Sequence, residues 1–216
     1  MACSVQTIIP LVFVAASLLA SDANARDRMN HDSSPSAPIA EASPTLAPFQ
    51  HVRFCLRYPS DCKSGPAQHE RIELSAENLE LLNRINSDVN AAIAPTVKGY
   101  GPDLKDGWSI SPTRGDCNDY AVTKRHDLIE QGLPANDLRL SVVKTSSGIG
   151  HLVLVVATTK GDLVLDNLTE TIRPWQGTDY HWLKIQSATD AKFWYEIKAP
   201  VAVSQAAERR IRLADR

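Results

Sequence analysis

No His-Glu-x-x-His run and no paired Cys-x-x-Cys occurs in this 216-residue chain, which removes the commonest sequence signatures of a zinc site. No internal repeat is evident, so solenoid and propeller architectures are excluded. Charge of one sign is not in excess either: 23 Lys and Arg stand against 25 Asp and Glu, a formal net charge of −2. That balance argues against nucleic acid or an anionic membrane as the main partner. A long apolar run is also missing. The apolar segment at residues 7–20 falls well short of the about 20 residues a transmembrane helix needs.

That segment instead has the length of a signal-peptide core, and Ala23-Asn24-Ala25 fits a small-residue cleavage site, although no Lys or Arg precedes it. Cleavage after Ala25 removes only Asp22 among charged residues. It leaves 23 basic and 24 acidic side chains, a net charge of −1. The expectation is an exported, periplasmic protein without stable membrane insertion once residues 1–25 are removed. Residues 26–48 are rich in Ser, Ala and Pro and are expected to be a disordered tether. Residues 49–198 suffice for one hydrophobic core and are too few for two. Residues 199–216 form a charged tail to which no function is assigned.

Cysteine is scarce, and its placement is informative. Cys3 belongs to the leader, which leaves Cys55, Cys62 and Cys117. Cys55 and Cys62 flank a short loop containing Pro59 and are expected to bridge in an oxidising compartment. Cys117 is then an unpaired thiol in an exported chain, a candidate for reactivity.

Local signals around Cys117 favour that reading over a buried, inert Cys. Asp116 is a good N-cap for a helix over roughly 117–131 that ends near Gly132 and Pro134. Cys117 falls in the first turn, where unpaired N–H groups and the positive end of the helix dipole favour an anion. His151 opens the apolar, β-branched run His151–Ala157, which predicts a buried strand. Asp162–Asp166 predicts an antiparallel return. A two-residue turn centred on Lys160-Gly161 would leave His151 and Asp166 about four residues apart along the strands. A diagonal approach then needs a wider loop or a bulge, so an irregular turn is predicted at residues 158–161. A thiol, an imidazole and a carboxylate in this order supply a nucleophile, a base and an orienting group.

Elsewhere, Ser75 caps a predicted helix from Ala76 to about Ala94, with Leu79, Leu82, Ile85, Val89 and Ile93 as its core face. Residues 137–144 and 192–198 read as strands. His126 is expected on a solvated helix face, and His181 beneath an aromatic cluster. His31, His51 and His69 are expected in loops or tether without ligand spacing. Trp108 is either a core aromatic or a wall of the cleft beside Cys117.

Gly115-Asp-Cys-Asn-Asp-Tyr-Ala121, with Trp108 and Pro112 before it, Lys124 and Leu128 in the helix, Gly150-His151, and Val164-Leu-Asp-Asn-Leu168, resembles the bacterial transglutaminase-like cysteine peptidases. Tyr180 and Phe193-Trp-Tyr195 also fit, and the resemblance covers roughly residues 50–198. It implies an α+β, papain-like or transglutaminase-like core with N-terminal helices packed on an antiparallel sheet. It implies Cys117 as nucleophile, His151 as base, Asp166 as orienter and Trp108 as a substrate-binding wall. The implied substrate is a protein, by analogy with a periplasmic member that trims surface adhesins, and an inner-membrane receptor is an implied regulator. The triad requires no cofactor, and a transglutaminase or amidase on the same triad, or a non-catalytic module on the same fold, are the competing readings. In adhesin-processing relatives the acidic cluster beside the Cys binds calcium, which here points to Asp116, Asn118 and Asp119. Capping and solvated charge are the alternative roles for these side chains. The family pattern has Glu where this chain has Asn118, which removes one charge and predicts weak calcium binding or none.

Overall fold

The computed structural model describes residues 37–66, 70–99, 101, 103 and 107–198. The expected leader, most of the expected tether, the tail, His31 and His69 lie outside these residues. In chain order the elements are β1 (Glu41–Thr45), α1 (Phe49–Arg57), α2 (Ala76–Ala92), β2 (Ala94–Pro95), β3 (Arg114–Gly115), α3 (Cys117–Glu130), β4 (Leu138–Lys144), β5 (Gly150–Thr158), β6 (Gly161–Leu165), β7 (Arg173–Pro174), β8 (His181–Gln186) and β9 (Trp194–Ile197).

Seven strands form one antiparallel sheet in the order β1-β9-β8-β4-β5-β6-β7. The fold is α+β. β5 is buried on both faces and divides the apolar residues into two clusters. Leu152, Leu154 and Val156 pack with Leu82 of α2 and Ala121, Val122 and Leu128 of α3. Val153 and Val155 point the other way, toward Val164, Trp175, Trp182 and Ile185. This strict alternation follows from the two-residue period of a strand, and each fully buried Val or Leu stabilises the sheet by roughly 1.5–3 kcal/mol.

Several expectations are corrected. Glu41–Thr45, assigned to the tether, pairs with β9 as an edge strand, and the backbone N–H of buried Ile39 donates to Asp162 Oδ2 at 2.7 Å. Backbone pairing at a sheet edge tolerates the Ser and Pro that composition alone assigns to a linker. In α2, capped by Ser75, Leu82 and Val89 are buried but Leu79 lies outward. His51 lies on α1, not in a loop, and is 1% exposed.

The β5–β6 turn is regular. Thr158 pairs with Gly161 across the two residues Thr159-Lys160, and the ladder runs without a register shift to Leu154 opposite Leu165. The predicted irregularity is therefore absent. The turn sits one residue earlier than expected because Gly161, at φ 112°, takes the positive angle that Thr159 and Lys160 avoid. Moving the centre of a two-residue turn by one residue shifts the register by two. That shift alone brings Asp166 to the diagonal neighbour of His151.

Candidate active site

Cys117 is the first residue of α3, half-buried and without a disulfide partner. The helix start is held by a capping box. Asp116 Oδ1 accepts from the backbone N–H and the side-chain amide of Asn118, each at 3.0 Å, and the Asp116 N–H donates to Asp119 Oδ2 at 2.9 Å. Gly115 is required for that closeness, since a Cβ there would sit 2.7 Å from Asp119 Oδ2. α3 packs against β5, whose first residues carry His151 into the same cleft. The cleft, about 320 Å³, is lined by Pro48, Phe49, Trp108, Cys117, Asn118 and His151, among others. Trp108 is at once core and wall: it is 3% exposed, belongs to the helix-side cluster and borders the cleft.

His151 Nε2 and Asp166 Oδ1 are 2.8 Å apart, which leaves Nδ1 as the ring nitrogen for the thiol. Burial opposes a charge on this imidazole, but hydrogen bonding and charge from Asp166 and Cys117 outweigh it and bring its pKa up to about 9. Burial works against ionisation of Asp166 as well. Its bonds to His151, Tyr180 and the Leu168 N–H prevail and hold it below the ordinary carboxylate range.

Residues that the sequence reading gave no role brace this pair. The Tyr180 hydroxyl donates to Asp166 Oδ2, and its ring meets that of His151 edge-on, 5.7 Å between centroids. From α2, Asn86 Oδ1 accepts from the Asp166 N–H at 3.2 Å, and Asn90 donates to the Asp166 carbonyl at 3.0 Å. Lys124 of α3, 1% exposed, completes the network by donating to Asn86 Oδ1 at 2.7 Å. Its burial lowers its pKa to about 7 against the opposing charges of Asp166 and Glu170. One signal was available: Asn86 interrupts the Leu82–Val89 apolar face, and a polar side chain there must find a partner.

The acidic pair beside Cys117 has two different fates. Asp116 caps the helix. Asp119 is fully buried, and its oxygens accept from Lys98 Nζ at 2.8 and 2.9 Å, from the Ser109 N–H at 2.8 Å and from the Asp116 N–H at 2.9 Å. These four hydrogen bonds, from three donor groups, fill the four lone-pair sites of the carboxylate. In this arrangement Asp119 has no open oxygen to offer a calcium ion, and Asp116 Oδ1 is engaged with Asn118. Among the other histidines, His126 is not merely solvated, because its Nδ1 lies 2.8 Å from Asp61 Oδ1. His181 is exposed on β8 instead of packed under aromatics. His51 borders a larger hollow of about 710 Å³ at the Cys55–Cys62 disulfide, where no comparable grouping of nucleophile and base occurs among the described residues.

Residues 41–201 match the family described as bacterial transglutaminase-like cysteine proteinase (BTLCP). The chain belongs to this family of cysteine peptidases. The fold is similar to solved structures of LapG from Legionella pneumophila. The EGTA-treated form is 20% identical, with 77% of this chain and 91% of that chain covered and a TM-score of 0.43. The calcium-bound form is also 20% identical, with 77% and 93% covered and a TM-score of 0.42. No curated protein matches the chain.

Proposed function

We propose that this member of the family is an exported peptidase that cleaves a protein substrate through Cys117, His151 and Asp166. The observation that carries the reading is the 2.8 Å pairing of His151 with Asp166 in the cleft that also holds Cys117 at a helix start. The Cys117 sulfur attacks the scissile carbonyl carbon. The backbone N–H of Cys117, free of an intrahelical partner at this position, stabilises the oxyanion. His151 passes its proton to the departing amine, giving a thioester. Water then adds to the thioester carbonyl while His151 takes up its proton, and the sulfur leaves. Asp166 fixes the ring and stabilises the imidazolium, and Trp108 lines the cleft. Asp116, Asn118 and Asp119 contribute capping and bracing, and no step runs through a metal.

Export to the periplasm rests on residues 1–25 as a leader, and the folded domain that follows includes β1 and buried Ile39. The resemblance favours a large surface adhesin as substrate and an inner-membrane receptor as regulator. Incubating the purified chain with adhesin fragments, with and without an amine donor, tests the reaction. New chain termini formed by water, and lost in Cys117→Ala, support hydrolysis. Amine incorporated at glutamine without cleavage would make the chain a transglutaminase.

A further inference from the structure

The ammonium group of Lys98 is the cation that pairs with the buried Asp119 carboxylate. Its three protons have three acceptors, Asp119 Oδ1 at 2.8 Å, Asp119 Oδ2 at 2.9 Å and the Gly107 carbonyl at 3.0 Å. The Asp119 side chain is fully buried, while that of Lys98 is 18% exposed. A carboxylate buried this deeply needs a countercharge, and Lys98 Nζ is the cation in contact with it. Through Asp119 the ammonium acts on both walls of the cleft. One carboxylate oxygen holds the Ser109 N–H, next to Trp108, and the other holds the Asp116 N–H, next to Cys117.

We propose that Lys98 is a built-in cation that positions the Cys117 helix start and the Trp108 loop, and that this chain is calcium-independent because Lys98 does the work assigned to calcium in adhesin-processing relatives. Lys98 is a positioning residue, and the proposal builds on the reading of Cys117 as nucleophile. A divalent ion cannot join this arrangement, since every Asp119 lone pair is used and the ammonium would repel it at close range.

The test uses the full chain purified after export and three readouts that need no substrate: calcium titration by calorimetry, melting temperature with calcium or with EGTA, and the alkylation rate of Cys117. Wild-type protein is expected to give no binding heat, the same melting temperature in calcium and in EGTA, and the same alkylation rate in both. Lys98→Met is expected to melt roughly 10 °C lower, because it leaves a buried carboxylate unpaired. Its Cys117 is expected to alkylate at least about tenfold more slowly under conditions where it remains folded. The double variant Lys98→Met/Asp119→Asn, which removes the uncompensated charge, is expected to regain at least half of the lost melting temperature, and it keeps the test decisive if the single variant does not fold. One calcium bound per chain with a stabilising shift lost in EGTA would overturn the proposal. So would wild-type melting and alkylation in Lys98→Met, or a double variant no more stable than the single one. Failure to cleave any protein would count against the peptidase reading and leave these three readouts intact.

Discussion

Tyr180 donates its hydroxyl to the Asp166 oxygen that His151 leaves unused. The carboxylate is therefore held from both sides, by Tyr180 at Oδ2 and by His151 and the Leu168 N–H at Oδ1. Its position fixes the imidazole.

This bond predicts a graded pair of variants. Tyr180→Phe removes one donor to a charged group, worth about 1.5 kcal/mol, and is expected to lower kcat about tenfold with little change in KM. Asp166→Asn, which disturbs the tautomer of His151, is expected to cost more than a thousandfold. Steady-state kinetics on one protein substrate measures both, and a Tyr180→Phe enzyme with unchanged kcat would remove the hydroxyl from the account.

The pH dependence of stability has a definite sign at His151. Its folded pKa, about 9, lies above the ordinary 6.5, so its contribution is fully present below about pH 6.5 and is lost as pH rises through 9. The difference in melting temperature between wild type and Asp166→Asn is expected to be largest near pH 6 and to shrink by pH 9.5. A constant difference across that range would contradict the assignment.

His51 has the opposite sign. Burial, with the charge of Arg125 adding to it, lowers its pKa to about 4. Trp194 Nε1 donates to His51 Nδ1 at 3.3 Å, which requires the lone pair that an imidazolium lacks. Stability is therefore present above about pH 6.5 and lost as pH falls toward 4. Melting curves should show this acid slope in wild type and a flatter one in His51→Gln, and parallel slopes would refute it.

Much of this site was legible in the sequence because its signals are local. Asp116 as a cap, the helix after it and the apolar run after His151 each depend on a few adjacent residues, and all appear where expected. The contributions of Lys98, Asn86 and Tyr180 were not legible. Each meets its partner across 14 to 80 residues of chain, and side chains of these types are common on any surface. The β5–β6 register failed for a narrower reason, since one glycine's positive φ decides which two residues form the turn.

Gly115 offers a steric test of the helix start. A methyl group there would meet Asp119 Oδ2 at 2.7 Å and Asp119 Cβ at 2.8 Å, and the fully bonded carboxylate has nowhere to move. Gly115→Ala is expected to destabilise the domain by about 1–3 kcal/mol in urea unfolding and to slow Cys117 alkylation. Wild-type values in both would show that the close approach is dispensable.

The most direct test of the central claim is the rate at which an electrophilic cysteine probe labels the folded, exported protein at pH 7, with the site mapped by mass spectrometry. The account predicts one adduct, on Cys117, with Cys55 and Cys62 still bridged, and labelling at least about 100-fold slower in His151→Ala. Equal labelling rates in the two proteins, or Cys117 found in a disulfide with Cys55 or Cys62, would contradict it.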